Sequence, residues 1–259
     1  MLEVKGAART FYAGTSDERR ALAGVDLTLN EGDFCVVIGS NGAGKSSLLN
    51  AVAGKLKLDR GSILIDGENV TRLPVHRRAR FISRVFQDPM LGTAPTMSVA
   101  ENMLLADLRG KTPRLVPGLT AERQTVYRDR LAILNLGLED RLDAPVGLLS
   151  GGQRQSLSLI MAVSNRPRLL LLDEHTAALD PKTAATVMDA TIRTIAEFGL
   201  TVLMVTHNMS HALECGNRLI MMDSGHFQLQ VATPEKDTLT VPDLIERFHV
   251  KSDRILLQV

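Results

Sequence analysis

The stretch DFCVVIGSNGAGKSS at residues 33–47 joins an apolar run to a glycine-rich loop. The run predicts a buried strand, and KSSLLNAVAG at residues 45–54 predicts a helix that ends at Gly54. Gly39 through Ser46, at the junction of these two segments, fit G-x-x-x-x-G-K-[ST]. The glycines of this pattern let the backbone approach a polyphosphate without a clash from Cβ. The sequence therefore predicts a phosphate-binding loop, and an ordinary glycine-rich turn is the less favoured interpretation.

Different residues of the loop are predicted to contact the phosphates and the metal. Lys45 would reach the β- and γ-phosphates, Ser46 would bind Mg²⁺, and Ser47 could add a phosphate contact. The predicted nucleotide-binding residues of the loop are Gly39, Ser40, Asn41, Gly42, Ala43, Gly44, Lys45, Ser46 and Ser47.

Two acids follow a run of leucines in RLLLLDE, residues 168–174. The continuous run predicts a parallel strand that is buried on both faces. Asp173 would bind Mg²⁺ directly or through water, and Glu174 would polarise the attacking water as a general base. Acids can also merely end a strand, but the phosphate loop upstream favours the catalytic interpretation.

Two further polar residues are candidates for the same site. His207 follows the apolar run at residues 200–206, and the carboxyl ends of strands are where open α/β sheets bind ligands. It could hydrogen-bond a γ-phosphate. Gln87 stands where the core gives way to a helical insertion, so it could link Mg²⁺ to that insertion. Either residue taken alone could be an ordinary surface polar group.

The order of patterns predicts an α/β fold with a mostly parallel core sheet. The segment from about residue 90 to 147 has helical patterns around prolines and reads as an insertion. The net charge of +1, from 30 basic and 29 acidic residues, gives no global attraction to nucleic acid. No apolar stretch reaches the roughly 18 residues that a membrane span needs, and no secretion signal is visible at the N-terminus.

A second glycine-containing loop, LLSGGQRQ at residues 148–155, precedes another helical pattern. A polar residue and two glycines at a helix start form a natural anion-binding site, because backbone N–H groups are exposed there. The chain thus carries two candidate phosphate loops.

Taken together, these motifs resemble those of the ATP-binding subunit of ABC transporters over essentially the whole chain. GSNGAGKSS is similar to the Walker A loop, VFQDP to the Q-loop, LSGGQ to the signature motif, and LLLLDE to Walker B with the catalytic glutamate. AALD, at residues 177–180, resembles the D-loop, and His207 the switch histidine. Each motif alone is weak to moderate, but the complete ordered set is highly specific.

The resemblance implies a P-loop NTPase fold of the ABC type, with an antiparallel β part at its N-terminal end and an inserted helical subdomain. It implies one ABC ATPase domain over residues 1–259. Residues 1–87 and 159–232 would form the nucleotide-binding core, residues 88–158 the helical subdomain with the signature motif, and residues 233–259 a C-terminal helix and extension.

The resemblance also explains why one chain would have two phosphate loops. ABC ATPases form head-to-tail dimers, in which the signature loop of one subunit caps the nucleotide on the Walker A loop of the other. Ser150, Gly151, Gly152 and Gln153 would therefore bind nucleotide across an interface, and Asp180 would lie at that interface. The catalytic residues would be Glu174, His207 and Lys45, with Ser46, Gln87 and Asp173 at the metal.

An aromatic residue that stacks on adenine is also expected from the family. Phe11 fits that place best, and the adjacent Tyr12 stays open as an alternative. One position departs from the family pattern: His175 stands where proline usually follows the catalytic glutamate. Proline would fix φ and remove an N–H group, and histidine does neither. A second general base is not expected there, because Glu174 already fills that role.

The implied function is hydrolysis of ATP with Mg²⁺, coupled to transport. The implied partners are a second ATPase subunit (a homodimer or a paired subunit), integral membrane permease subunits and a separate substrate-binding protein, with no nucleic acid. The chain would sit on the cytoplasmic side of the membrane, held by the permease. An importer is favoured, with a weaker resemblance to an amino-acid-type group. A soluble ATPase resembling those of iron–sulfur assembly, or an exporter or lipid-extraction motor, is the alternative; the transported substrate is not readable from this chain.

Overall fold

The computed structural model describes residues 1–109, 111 and 117–247. Within these residues, ten strands form two sheets. The strands are β1 (Leu2–Phe11), β2 (Arg19–Leu29), β3 (Phe34–Gly39), β4 (Arg60–Ile65), β5 (Glu68–Asn69), β6 (Ile82–Val85), β7 (Leu169–Asp173), β8 (Thr201–Val205), β9 (Arg218–Asp223) and β10 (His226–Ala232). The helices are α1 (Lys45–Ala53), α2 (Val75–Arg78), α3 (Val99–Leu108), α4 (Ala121–Ala132), α5 (Gly151–Val163), α6 (Pro181–Phe198) and α7 (Met209–Glu214), and residues 241–247 are also helical.

The larger sheet has the strand order β10-β9-β3-β8-β7-β6. Every neighbouring pair from β9 to β6 is parallel, and only β10 runs antiparallel, against β9. The smaller sheet, in the order β2-β1-β4-β5, is antiparallel throughout. The predictions of a mostly parallel core sheet and of an antiparallel part near the N-terminal end are both confirmed.

Side chains of the central strands alternate between two apolar clusters. On β3, Cys35 and Val37 face α1 and the antiparallel sheet, whereas Val36 and Ile38 face the side of α5 and α6. Because both faces of this sheet are covered, its strands are continuous apolar runs rather than alternating ones. This burial explains the leucine run of β7. The two acids follow at the carboxyl end of that strand.

The helical insertion lies between β6 and β7 along the chain. Its first helix, α3, begins with a capping box, in which Ser98 Oγ accepts from the Glu101 backbone N–H and the Glu101 carboxylate accepts from the Ser98 N–H. The expected boundary between residues 158 and 159 falls inside α5, so this helix links the insertion to the core. Residues 110 and 112–116 of the insertion, and residues 248–259 of the expected extension, lie outside the described residues.

In the part of the chain that the structure describes, no helix has both the length and the apolar composition needed to cross a membrane.

Candidate functional site

The phosphate loop connects β3 to α1 at the carboxyl edge of the parallel sheet. Gly44 adopts φ 108°, and a Cβ atom there would overlap the backbone oxygen of Ala21 on β2. A Cβ atom at Gly39 would likewise overlap the backbone oxygen of Met222 on β9. The loop therefore runs against two strands at once, and only glycine fits at these positions.

Lys45 is the first residue of α1 and is buried inside the loop. Its ammonium group donates to the carbonyl oxygens of Gly39 at 2.7 Å and Ser40 at 3.0 Å. Burial lowers the pKa of this amine, and the nearby Glu174 carboxylate acts in the opposite direction. A cation held by carbonyl groups in a partly desolvated loop is well placed to exchange those contacts for a phosphate.

A pocket of about 270 Å³ opens beside the loop. Its lining residues are Phe11, Arg19, Ala21, Asn41, Gly42, Gly44, Lys45, Ser46, Ser47 and Glu174.

The two aromatic candidates for adenine stacking differ in their surroundings. Phe11 ends β1 and lines the pocket, with the Arg9 guanidinium 5.2 Å from its ring centroid. Tyr12 is 72% exposed and is not among the described lining residues. The structure therefore brings Phe11, rather than Tyr12, to the phosphate loop.

Arg19 is a pocket residue that the sequence analysis did not single out. It pairs with Phe11 across β1 and β2, and its guanidinium donates to the carbonyl oxygen of Gly42 at 2.9 Å. An arginine in an exposed, charged segment carries no local signal for such a contact, because its partner lies on a different element.

Glu174 stands directly after β7 in a left-handed conformation, with φ 43°. Its backbone N–H donates to Val205 on the neighbouring strand at 3.0 Å, which fixes this unusual geometry. Its carboxylate lies 3.2 Å from Nδ1 of His207 and also lines the pocket. The structure thus brings Glu174, His207 and Lys45, the three predicted catalytic residues, to one edge of the sheet.

Asp173 ends β7 and is held by residues that the sequence analysis missed. Its Oδ2 accepts from the Arg84 guanidinium, which also donates to Asn50 Oδ1 on α1 at 2.7 Å. The available signal was a charged residue, Arg84, in the short and largely buried strand β6. Gln87, three residues later, is exposed and is not among the described residues that line the pocket.

The signature loop is already organised within one chain. Ser150 caps α5: its Oγ accepts from the Gln153 N–H at 3.2 Å, and Gln153 Oε1 accepts from the Ser150 N–H at 3.2 Å. A Cβ atom at Gly152 would overlap the Thr183 methyl group of α6, so this glycine also allows two helices to pack closely. The Gln153 amide donates to the carbonyl oxygen of Leu136 at 3.1 Å, which gives that residue a structural contact.

Asp180 caps the N-terminus of α6. Its side chain accepts from the Thr183 N–H at 3.1 Å, and hydrogen bonding to Thr183 lowers the pKa of this exposed carboxyl. Gly151 and Asp180 are exposed, and neither belongs to the described lining of the pocket. The residues predicted to act across an interface are therefore separate from those that form the pocket of the same chain.

His175 is buried and is not a surface base. Its Nε2 lies 3.1 Å from Thr191 Oγ1, and that hydroxyl donates to the carbonyl oxygen of Val187 at 2.8 Å. The hydroxyl therefore accepts a hydrogen bond from the Nε2–H group of His175. Burial, assisted by the nearby His211, lowers the pKa of His175 to about 4, so its imidazole is neutral at neutral pH.

A phosphate loop, a strand that ends in two acids, and a histidine beside the second acid define a P-loop ATPase. The family profile described as "ABC transporter" matches residues 22–177. The chain is 44% identical over 248 residues to the tyrosine transport ATP-binding protein of Clostridioides difficile, covering 96% of this chain and 98% of that protein. It is 36% identical over 227 residues to lipoprotein-releasing system ATP-binding protein LolD 1 of Caulobacter vibrioides, covering 86% and 93%.

A solved structure supports the same family. The dimeric ATP-binding cassette MJ0796, in a post-hydrolysis state bound to ADP and Pi, superposes with a TM-score of 0.75 at 28% identity over 90% of this chain and 98% of that one. The chain therefore belongs to the ABC transporter family. It is an ATP-binding subunit of that family and an ATPase.

Proposed function

We propose that this chain is the motor of an ABC importer for an amino acid or a similar small solute, and that two copies close head to tail around ATP. The observation that carries the proposal is that the two phosphate-binding loops of the chain lie apart from each other. The Walker A loop forms a pocket with Phe11 and Glu174 of its own chain, whereas the signature loop is fully formed but lies outside that pocket.

The N-terminus of α5 has the properties of an anion-binding site, and no acidic side chain of its own first turn fills it. Gly151 in this turn is exposed. The free N–H groups and the positive end of the helix dipole there favour a phosphate group. A second copy in head-to-tail orientation would bring Ser150, Gly151 and Gly152 to the γ-phosphate, and Asp180 would lie at the same interface.

Within such a dimer, residues of this chain divide the work of hydrolysis. Lys45 would leave the carbonyl groups of its loop and bind the β- and γ-phosphates. Glu174 would hold the attacking water and accept its proton, and His207 would orient Glu174 and contact the γ-phosphate. Phe11 would stack on the adenine ring.

The side chains predicted to hold magnesium have the donor chemistry that this ion needs. Ser46 and Gln87 offer neutral oxygens and Asp173 offers a carboxylate, and hard divalent cations prefer oxygen donors. Bound there, the ion would neutralise charge on the phosphate oxygens during transfer.

Exposed apolar residues on the insertion support a permease partner. Leu91 and Leu148 are each 70% exposed, and Arg154 joins their segments by contacting Met90 Sδ at 3.1 Å and the Gly147 oxygen at 3.1 Å. We expect these adjoining apolar residues to contribute to a protein interface. A cytoplasmic helix of a permease would bind there and hold the chain on the cytoplasmic side of the membrane, and a separate protein would deliver the solute.

Import of an amino acid is favoured by the near full-length similarity to the tyrosine transport protein. Lipoprotein release is the second candidate, because the Caulobacter LolD relative matches 86% of the chain. The two differ in partners: an importer would include a solute-binding protein, whereas a releasing system would not.

The test is a pull-down of the tagged chain from detergent-solubilised host membranes, with the partners identified. The proposal expects a polytopic membrane protein in equal amount together with a solute-binding protein. Leu148→Glu should abolish capture, whereas Val75→Glu, at an exposed apolar site on α2, should not. Capture of soluble partners alone would refute the transporter role, and a lipoprotein-releasing permease would refute import.

A further inference from the structure

Arg84 lies on the same face of the sheet as Asp173. Ile82, two residues before Arg84 on β6, belongs to the apolar cluster beside α1, and so does Leu171, two residues before Asp173 on β7. The parallel register pairs Arg84 with Leu171. Because residues two apart share a face of a strand, Arg84 and Asp173 project together toward α1.

The guanidinium of Arg84 is fixed by three contacts. It donates to Asp173 Oδ2 through one terminal nitrogen and to Asn50 Oδ1 at 2.7 Å through the other, and its Cζ lies 5.0 Å from the centroid of the Phe86 ring. The side chains of Arg84 and Asp173 are 11% and 18% exposed. Solvent screens such a shielded pair less than a surface pair, and the planar fork of arginine can bind two partners at once.

We propose that Arg84 is the resident counter-ion of Asp173, a positioning residue that reduces the dependence of ATP binding on magnesium. This role rests on the proposed function, in which Asp173 faces the magnesium that accompanies ATP. Arg84 neutralises the carboxylate before the metal arrives and holds one of its oxygens in a fixed direction.

Removing this charge has two effects on nucleotide binding, and both act in the same direction. Without metal, the uncompensated carboxylate of Asp173 repels the phosphates of ATP. With metal, the same carboxylate attracts the divalent ion more strongly, because a neighbouring cation no longer opposes it. The ratio of the ATP Kd in EDTA to the ATP Kd in magnesium should therefore rise.

A purely structural ion pair predicts a different result. Losing it would lower the stability of the fold and weaken ATP binding by a similar factor in both conditions, so the ratio would not change. The ratio thus separates an electrostatic role at the metal site from a role in holding β6, β7 and α1 together.

The experiment measures ATP binding by isothermal titration calorimetry, with the full chain carrying Glu174→Gln to prevent turnover. Arg84→Gln keeps amide donors and removes the charge, and Arg84→Lys keeps the charge and is the matched control. Arg84→Gln should raise the Kd ratio about fivefold or more, whereas Arg84→Lys should leave it within about twofold. When Asp173→Asn is also present, Arg84→Gln should no longer change the ratio.

The parent is the chain that carries Glu174→Gln and retains Arg84. If the parent binds ATP normally, an unchanged or lower Kd ratio in Arg84→Gln would overturn this role and leave the proposed function intact. Absence of ATP binding by the parent in both conditions would instead refute the proposed function itself. A further check needs no variant: millimolar magnesium without nucleotide should not raise the Tm of the wild-type chain, because Arg84 already occupies Asp173. A clear rise would contradict the proposal even if Arg84→Gln failed to fold.

Discussion

Replacing His175 with glutamine should remove much of the acid sensitivity of folding. The imidazole has an ordinary pKa of 6.5, which the fold lowers to about 4, first by burial and then by the charge of His211. Between these values the unfolded chain takes up a proton that the folded chain excludes. Stability is therefore fully present above about pH 6.5 and is lost as the pH falls toward 4.

The size of the effect follows from the pKa difference. At about 1.4 kcal/mol for each pKa unit, the complete loss amounts to roughly 3 kcal/mol, of which about 2 kcal/mol falls between pH 7 and pH 4.5. This is a large share of the ~5–15 kcal/mol that stabilises a typical domain. His175→Gln retains an amide that can donate to Thr191 Oγ1, so the change removes the titrating group and keeps the hydrogen bond.

Urea unfolding at pH 7 and pH 4.5, followed by circular dichroism, measures the effect. The wild-type chain should lose about 2 kcal/mol more than His175→Gln between these two pH values. His76→Gln, at an exposed position on α2, is the matched control and should behave like the wild type. Equal pH dependence of the wild-type chain and His175→Gln would refute the claim that His175 is buried as a neutral base.

Two further predictions concern the phosphate-binding loops. Gly44→Ala should destabilise the fold by about 1–3 kcal/mol and weaken ATP binding at least tenfold, because φ is 108° and the new Cβ would overlap Ala21. Gly14→Ala shares a positive φ of 78° but has open space around it. It should therefore lose only about 1 kcal/mol of stability and bind ATP nearly normally in the same urea and calorimetric measurements. Ser150→Arg should leave ATP binding by the isolated chain within about twofold yet prevent ATP-dependent dimerisation in the Glu174→Gln background, as measured by light scattering, because the new side chain would occupy the N-terminus of α5. An ATP-dependent dimer of Ser150→Arg would disprove the proposed contact across the interface.

Short, contiguous sequence patterns predict part of the structure. The apolar runs specify β3, β7 and β8 because these strands are buried on both faces, and Gly54 and Gly199 end their helices with left-handed caps. Motifs of this kind place their residues at strand and helix ends without any knowledge of distant contacts.

The parts that sequence patterns missed depend on contacts between distant segments. Arg84 and Asp173 are 89 positions apart, and the partners of Arg19 and His175 also lie on other elements. The pattern around Gln153 predicts nucleotide binding, but its side-chain oxygen accepts from the Ser150 N–H in the cap of α5 and its amide nitrogen donates to the carbonyl oxygen of Leu136. Structural contacts therefore account for part of that motif.

The most direct test of the account is a measurement of phosphate release in a single turnover, with ATP binding measured on the same samples. Glu174→Gln should bind ATP within about threefold of the wild type and release phosphate at least about 100-fold more slowly, because the proton acceptor beside His207 is lost. Glu197→Gln, at an exposed position on α6, should match the wild type in both measurements. Phosphate release by Glu174→Gln at close to the wild-type rate would contradict the assignment of Glu174 as the catalytic base.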